Sequence, residues 1–212
     1  KDRKCITAQS DLTFTLETQH PSFSEARDFL MSFAELIKCP EYLYYYRITR
    51  LSLWNAASLG INSEELFYKL DPFLKFPLPT SVKNFIKDSM ALWGLLQLTR
   101  DGDQVYLSIH DSSLVPHVLS HEKIRQALLN PSKDDVTNDS SSLHLAIDHL
   151  KRGIIKTSLM KVGLPIEDIA GYRDGESYEI QLKRDLTLRE YQQNAIEAFY
   201  CDNSLLGGSG VI

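Results

Sequence analysis

Residues 81–109, SVKNFIKDSMALWGLLQLTRDGDQVYLSI, carry two different hydrophobic periodicities one after the other. From residue 81 to residue 93 the apolar positions recur every three or four residues, which is typical of a helix that packs one face on a core. Residues 95–109 contain two short strand-like segments around Asp101 and Gly102, a favoured turn pair. The stretch therefore predicts a helix followed by a β-hairpin.

Two further helices are predicted just before this stretch. Thr49 is placed to cap a short helix that ends at Gly60, and Asn62 with Glu65 has the spacing of a capping box for a second helix. Three helices followed by a hairpin are the elements of a winged helix-turn-helix, in which the third helix meets DNA and the hairpin is the wing. We therefore predict a winged-helix module over residues 49–109.

The residues before this module predict a strand, a helix and a second strand. Residues 12–17 alternate between apolar and polar side chains. After a serine cap at Ser22 or Ser24, apolar residues up to Ile37 follow helical spacing, and Pro40 forbids continuation of the helix. The second strand, over residues 42–48, contains the tyrosines Tyr42, Tyr44, Tyr45 and Tyr46. Tyrosine rings can stack nucleic-acid bases, but tyrosine is also an ordinary strand residue, and we favour packing in the sheet.

The second half of the chain predicts another strand-helix-strand unit behind a linker. Residues 110–129 suggest a short helix and a weak strand near 124–128, whereas residues 130–142 are polar and rich in turn formers. A strand is expected over residues 143–147, a helix over 148–162 and another strand over 178–182. A final helix follows a capping box made by Thr187 and Glu190.

We therefore predict an α+β protein in five parts. The parts are a strand-helix-strand unit over 1–48, the winged-helix module over 49–109, a short helix and polar linker over 110–142, a second strand-helix-strand unit over 143–185, and a final segment over 186–212 that opens with a helix.

Composition excludes several classes of protein. The 212 residues are 43% hydrophobic and 24% charged, as in folded globular domains. We find neither an apolar run long enough for a membrane span nor the start of a signal peptide, so we expect no contact with a membrane. Three widely spaced cysteines fit a reducing compartment, and we expect a cytoplasmic protein. The formal charge of −5 excludes a uniformly basic surface for nucleic acids.

Two stretches are nevertheless locally basic. Residues 47–100 contain seven basic and four acidic side chains, and residues 149–166 contain four basic and no acidic ones. DNA binding uses such clusters, because neutralising phosphates releases counterions. Solvated helix faces, or a winged helix that docks a protein, explain the same pattern and stay open as alternatives. The predicted DNA-binding residues are Lys83, Lys87, Arg100, Lys151, Arg152 and Lys156.

The sequence shows no motif for catalysis. It lacks Gly-x-x-x-x-Gly-Lys-Ser/Thr, Gly-x-Gly-x-x-Gly, Cys-x-x-Cys and His-Glu-x-x-His, and residues 207–211 fail the serine hydrolase pattern Gly-x-Ser-x-Gly. His117 and His121 are four residues apart and could share a metal with Glu122 or Asp111, but a third ligand is not identified. We therefore expect no catalytic residue and no metal site in this chain.

Several motifs stand in a particular order along the chain. The last part contains Leu188-Arg189-x-Tyr191-Gln192-x-x-Ala195, then Phe199-Tyr200 and the ending Gly207-Gly208-Ser209-Gly210-Val211-Ile212. Earlier stretches that match are residues 163–172, Tyr46–Thr49 and Ser52–Ala56, with Pro77 and Pro79. This set resembles the N-terminal region of XPB-type helicases of superfamily 2, in the bacterial branch. In that family Leu-Arg-x-Tyr-Gln lies just before the phosphate-binding loop of the first RecA-like lobe, so residues 186–212 match the start of that lobe.

The resemblance implies the DNA-binding or regulatory N-terminal region of an ATP-dependent 3′-5′ DNA helicase that acts in repair or transcription. ATP and Mg²⁺ are the implied cofactors of the whole helicase, and Arg189 and Gln192 match the positions that recognise adenine. The phosphate-binding lysine, the Asp-Glu box and the second lobe are not in this sequence, so we expect no ATPase activity from it alone. The implied partner is duplex or forked DNA, held through its phosphates.

A different class of function remains an alternative. The winged helix could dock a repair partner, such as a nuclease, without touching nucleic acid, and the acidic total charge favours this interpretation. Steep salt dependence of DNA binding would support the first reading, whereas an apolar groove and salt-insensitive partner binding would support the second.

Overall fold

The computed structural model describes residues 3–129, 143–172, 177 and 187–200. The strands are β1 Ile6–Ala8, β2 Thr13–Glu17, β3 Glu35–Lys38, β4 Leu43–Arg47, β5 Leu96–Asp101, β6 Gln104–Ile109, β7 Leu143–Ile147 and β8 Glu167–Asp168. The helices are α1 Phe23–Met31, α2 Arg50–Ser58, α3 Ser63–Leu70, α4 Thr80–Ala91, α5 Val115–Ser120, α6 Glu122–Arg125, α7 Arg152–Lys161 and α8 Glu190–Tyr200. The strands form two small sheets and the chain also contains eight described α-helices, so the α+β prediction is confirmed. The chain divides into two units, residues 1–171 and residues 172–212.

The first sheet and the first four helices share one hydrophobic core. The strands lie in the order β1-β2-β4-β3, and every neighbouring pair is antiparallel. Phe14 and Leu16 alternate with partly exposed neighbours along β2 and are completely buried, as a half-buried strand requires. The Trp54 ring donates from Nε1 to the Ser89 carbonyl at 3.0 Å, which ties α2 to α4. The helices of the predicted winged-helix module therefore bury their apolar faces in this first core.

The predicted caps of α2 and α3 are confirmed. The Thr49 hydroxyl accepts the Ser52 N–H at 3.0 Å, and the Ser52 hydroxyl in turn bonds the Thr49 N–H, which completes a capping box. The Asn62 side chain accepts the Glu65 N–H at 2.9 Å at the start of α3. Each cap satisfies a backbone donor that has no partner inside its helix.

The prediction of one helix reaching Ile37 is wrong. Helix α1 ends at Met31, where the Ser32 hydroxyl donates to the Phe29 carbonyl at 2.7 Å. The chain turns while keeping Phe33 buried, and the next residues form β3, which pairs with β4 at the edge of the sheet. Helical spacing of the apolar residues therefore persists through a turn, although the helix itself has ended.

The tyrosines of β4 pack in and around the sheet. Tyr46 is completely buried, and Tyr44 meets the Phe23 ring edge to face with centroids 5.2 Å apart. The Lys38 ammonium lies 4.1 Å from the centroid of the Tyr45 ring. The favoured interpretation is confirmed for Tyr46, because its ring has no exposed face on which a base could stack.

Replacing Tyr46 with phenylalanine is expected to leave the protein as stable as before or more stable by about 1 kcal/mol. The buried Tyr46 hydroxyl has no hydrogen-bond partner among the residues that the structure describes, and burial raises its pKa. Removing the hydroxyl also removes the free-energy cost of burying a polar group that makes no hydrogen bond. Urea denaturation of the Tyr46→Phe and Tyr45→Phe proteins measures the effect. A loss of more than 1 kcal/mol specific to Tyr46→Phe would show that the hydroxyl makes a stabilising bond.

The second sheet belongs to a second hydrophobic core. Its strands lie in the order β7-β6-β5-β8, with the predicted β5–β6 hairpin at the centre. Strand β8 is the parallel member and pairs Gln97 with Glu167. The apolar faces of β5 and β6 pack with residues of α5, α6 and α7, whereas α2, α3 and α4 contribute to the first core. The helices and the hairpin of the predicted module thus contribute to different cores, and the winged-helix assignment stays a prediction.

The region after the hairpin agrees with the sequence in part. The short helix before residue 121 is present as α5, but the weak strand expected near 124–128 is replaced by α6 and a single bridge between Leu128 and Ile147. Strand β7 and helix α7 confirm the elements predicted over 143–162. The predicted linker over 130–142 and the strand over 178–182 lie outside the described residues.

Helix α8 is the described element of the second unit. It begins at Glu190, so Arg189 takes the cap position that was predicted for Thr187. The Gln192 side-chain oxygen accepts the Arg189 N–H at 3.0 Å, which is one of the two bonds of a capping box. The predicted final helix is confirmed, and its start is displaced by two residues because Gln192 supplies the capping group.

Candidate nucleic-acid interface

Helix α7 carries the basic stretch predicted from the sequence, and helix geometry divides its cations between two faces. At about 100° per residue, Arg152 and Lys156 flank the buried side chains Ile155 and Leu159. Lys161, in the last turn, lies on another side of the helix, together with Ile154 and Ser158. The four cations that look like one patch in the sequence therefore belong to two different environments.

The inner cations of α7 converge on Asp168. Arg152 donates from Nε to Asp168 Oδ2 at 2.8 Å and makes a second bond to Oδ1, and Lys156 donates to Oδ2 at 2.9 Å. The side chains of Asp168 and Arg152 are only 11% and 14% exposed. Burial of the Asp168 carboxyl raises its pKa, but the hydrogen bonds from Arg152 and Lys156 outweigh burial and hold the pKa below its usual value. This ion cluster fastens β8 to α7.

The segment after β8 is held by two more hydrogen bonds from predicted DNA-binding residues. Arg152 donates from Nη1 to the Gly171 carbonyl at 2.6 Å, and Arg100 on β5 donates from Nε to the Ala170 carbonyl at 2.8 Å. Arg100, Arg152 and Lys156 therefore all have partners inside the chain. Their contacts with DNA stay a prediction, whereas their bonds to residues 168–171 are part of the fold.

Lys83 and Lys87 both lie on the exposed side of α4. The Lys87 ammonium is 3.1 Å from Glu64 Oε1 and 5.7 Å from the centroid of the Phe67 ring. Lys83 makes no ion pair with any residue in the described ranges. Of these two predicted contacts, Lys83 is the cation whose charge is uncompensated nearby.

Lys151 faces a groove between α6 and α7. It donates to the Gln126 carbonyl at 2.8 Å, and its ammonium lies 3.9 Å from Asp148 Oδ2. The groove has a volume of about 650 Å³ and is also lined by Lys123, Lys161 and His121, none of which was predicted to contact DNA. The signal that could have found Lys161 is its position seven residues after Ile154 on one side of a helix. Lys123 could not have been found this way, because no helix was predicted over residues 122–125.

A second concave surface lies on the first core. It has a volume of about 860 Å³ and is lined by the aromatic rings of Phe29, Phe67, Tyr68 and Phe73. Tyr68 is 82% exposed. We call this surface the aromatic cleft. Phe29 and Phe67 are half-buried and Phe73 is buried, so Tyr68 supplies the exposed aromatic surface of the cleft.

Arg189 and Gln192, the residues that match adenine-recognising positions, are both exposed on the described part of the second unit. The Gln192 carbonyl oxygen is engaged by the Arg189 N–H, which leaves the amide donors of Gln192 and the Arg189 guanidinium to meet a base. A guanidinium stacks on a ring and an amide donates to a ring nitrogen, so this donor set fits the base of ATP.

Metal-binding and membrane-spanning features are absent from the described ranges. The rings of His117 and His121 meet edge to face, with centroids 5.4 Å apart. Within residues 3–129, 143–172, 177 and 187–200, no group of three or more His, Cys, Asp or Glu side chains is placed to hold a metal ion. None of the helices in those ranges has both the length and the apolar composition needed to cross a bilayer.

Comparison with known proteins gives a consistent set of relatives. Residues 6–133 match a family model described as a helicase conserved C-terminal domain. Over 209 residues, or 98% of this chain, the sequence is 35% identical to the DNA 3′-5′ helicase XPB of Mycobacterium tuberculosis and 34% identical to that of Kineococcus radiotolerans. It is 28% identical over 207 residues, or 93% of the chain, to the general transcription and DNA repair factor IIH helicase/translocase subunit XPB of Enterocytozoon bieneusi.

These relatives are longer proteins. The matches cover 36% of the Mycobacterium tuberculosis protein, 35% of the Kineococcus radiotolerans protein and 32% of the Enterocytozoon bieneusi protein. The chain thus spans about a third of the length of the curated relatives that it matches.

Proposed function

Since this chain belongs to the family of XPB-type helicases, we propose that it is the DNA-binding and regulatory N-terminal region of an ATP-dependent 3′-5′ DNA helicase in repair or transcription. The observation that carries this proposal is the alignment of 98% of the chain with a bacterial DNA 3′-5′ helicase. The proposed role of this region is to hold duplex or forked DNA beside the ATP-hydrolysing lobes of the whole helicase. Because the phosphate-binding lysine and the Asp-Glu box are not in this sequence, the proposed region has no ATPase activity of its own.

In this proposal α2, α3, α4 and the β5–β6 hairpin act as a winged helix with α4 toward the DNA. The order of elements supports it, as does the uncompensated charge of Lys83 on the exposed side of α4. Lys87 and Arg100 add cations on the same helix and on the hairpin. Ammonium and guanidinium groups bind phosphates without reading the base sequence, so this surface positions DNA.

The α7 cations take part in a different way. Arg152, Lys156 and Asp168 together carry a formal charge of +1, and the guanidinium and ammonium groups have more donors than Asp168 can accept. They reach a phosphate only while keeping their bonds to Asp168. Lys151 is the third predicted contact here and lies on the groove side of the helix.

ATP and Mg²⁺ belong to the proposed whole helicase. Arg189 and Gln192 would hold the adenine base there, through the guanidinium plane and the amide donors of the side chains. ATP supplies the free energy for translocation when it is bound. The proposed place of action is the cytoplasm, where the cysteines would stay reduced.

Salt-dependent DNA binding tests this proposal. The affinity of the chain for a fluorescent duplex and for a forked oligonucleotide is expected to fall steeply with salt concentration. Lys83→Gln is expected to reduce the slope of log K against log salt by about one. The matched control is Lys69→Gln, which removes an exposed lysine paired with Glu65 on α3. A wild-type chain that binds neither oligonucleotide at low salt would refute the proposal.

The aromatic cleft favours a second candidate function, docking of a repair protein such as a nuclease. Tyr68 supplies an exposed ring beside the half-buried Phe67, and the Arg3–Glu25 ion pair at 3.4 Å lies at the cleft. Binding through such a surface is driven by apolar burial and changes little with salt. Two results together would support this function. The chain would fail to bind DNA at low salt, and it would bind a partner protein with an affinity that does not depend on salt and that Tyr68→Ala abolishes.

A further inference from the structure

The groove between α6 and α7 is lined by cations and hydroxyl groups. It has a volume of about 650 Å³, and its polar lining residues include His121, Lys123, Lys151, Thr157, Ser158 and Lys161. Glu122 is the acidic residue at the groove, and its Oε1 already accepts a hydrogen bond from Gln126 at 2.9 Å. Three lysines against one carboxylate make the groove electropositive in a chain whose total charge is −5.

The two outer lysines are not neutralised by the fold. Lys123 and Lys161 are exposed and form no ion pair with a residue in the described part of the chain. Lys151 keeps its hydrogen bond to the Gln126 carbonyl and lies 3.9 Å from Asp148. Lys151 therefore helps to build the groove, while Lys123 and Lys161 supply the charge that a ligand would meet.

One polar atom of a lining residue has no partner. The Nε2 atom of His121 is buried and makes no hydrogen bond to any residue that the structure describes. This nitrogen lies beneath the protein surface, so His121 adds an imidazole ring to the groove wall and no bond to a ligand. The donors that the groove offers to a ligand are the ammonium groups of Lys123 and Lys161 and the Ser158 hydroxyl. A ligand that accepts from all of them carries several oxygen atoms and a negative charge, which describes a phosphate group.

We propose that the α6–α7 groove binds a backbone phosphate of DNA through Lys123, Lys161 and Ser158. This inference rests on the proposed function, which makes DNA the source of the phosphate. The groove lies on the side of α7 away from the Asp168 cluster, so binding there does not compete with the bonds that hold β8. The Thr157 hydroxyl already donates to the Gly153 carbonyl at 2.9 Å and contributes no donor.

The first test compares two double variants that remove the same charge. Lys123→Gln with Lys161→Gln is expected to weaken binding of a duplex oligonucleotide about tenfold near 0.1 M salt and to reduce the salt slope by about two. The matched control is Lys38→Gln with Lys69→Gln, whose lysines lie over the Tyr45 ring and beside Glu65. The control is expected to keep the wild-type slope. Circular dichroism of both variants establishes that they are folded.

The second test follows the histidine directly. In the chain labelled with ¹⁵N-histidine, duplex DNA is expected to shift the Nε2 resonance of His121, and Lys123→Gln with Lys161→Gln is expected to abolish the shift. Inorganic phosphate is the comparison probe. A shift with inorganic phosphate but none with DNA would overturn the proposal, because the groove would then take a free anion.

The possible failures are distinguishable. If the groove variant and the control show the same decrease in affinity for duplex DNA and in salt slope, the groove is not a DNA site, while the proposed function stands. If the wild-type chain binds no DNA at low salt, both proposals fail together.

Discussion

Replacing Asp168 with asparagine is expected to destabilise the second core by about 3 kcal/mol. The change removes the shared acceptor of Arg152 and Lys156, and Arg152 is only 14% exposed. A buried guanidinium that loses its carboxylate keeps the cost of desolvation without the compensating attraction. Strand β8 is two residues long and includes Asp168, so the loss acts directly on its pairing with β5.

Urea denaturation followed by circular dichroism measures this effect, and hydrogen exchange locates it in β5 and β8. The control is Asp88→Asn, which removes a carboxylate from an exposed position on α4 and is expected to change stability by less than about 0.5 kcal/mol. Equal stabilities of the two variants would show that the Asp168 cluster holds nothing together.

The effect of Asp168 also depends on pH in a defined direction. Because the pKa of Asp168 is lower in the folded state than in the unfolded chain, the unfolded chain binds the proton more readily. The stability from Asp168 is therefore complete at pH 7 and decreases below about pH 4, near the ordinary pKa of aspartate. The difference in free energy of unfolding between the wild type and Asp168→Asn is expected to become smaller over that acidic range. A difference that became larger there would contradict the direction of the shift.

Replacing Phe14 with alanine is expected to cost about 4 kcal/mol of stability. The ring is completely buried at the centre of the first core and meets Phe33 edge to face with centroids 6.0 Å apart. The variant loses the transfer free energy of the ring and leaves a cavity that a sheet packed on helices fills poorly. Urea denaturation gives the magnitude. The control is Phe76→Ala, since Phe76 is 66% exposed, and a similar loss in both variants would contradict the assignment of Phe14 to the core.

The parts of the fold that could be predicted are those determined by neighbours in sequence. Thr49 and Asn62 cap helices because the donors they satisfy lie three residues away. The β5–β6 hairpin follows from a short turn between two strands. Strand β3 could not be predicted, because its residues are exposed and carry no alternation of burial. Pairing with β4 and the turn at Ser32 create it.

The candidate site was predicted in composition but not in geometry. The basic character of residues 149–166 is plain in the sequence, yet Asp168 lies beyond that stretch and folds back to neutralise part of it. The groove needs α6, a short helix that was not predicted, since the sequence suggested a weak strand near 124–128. His121 stands out in the sequence only by its spacing from His117, and that spacing does not predict that packing buries its Nε2 atom.

The family could be predicted because its motif is local. Leu188-Arg189-x-Tyr191-Gln192 is readable without any tertiary contact, and the relationship to XPB-type helicases is confirmed by relatives that align with almost the whole chain. The adenine-binding role of Arg189 and Gln192 stays a prediction. So do the boundaries of the five predicted parts of the chain.

The parallel pairing of β8 with β5 sets an order of events during synthesis on the ribosome. All described residues of the first core lie between Cys5 and Met90, so that core can form while later residues are still being added. Glu167, the partner of Gln97, is synthesised 70 residues later, so at ordinary translation rates the pairing of β5 with β8 is delayed by about 4–14 s. During that interval the nascent hairpin presents an unpaired strand edge, the kind of surface to which chaperones and other unfinished chains bind.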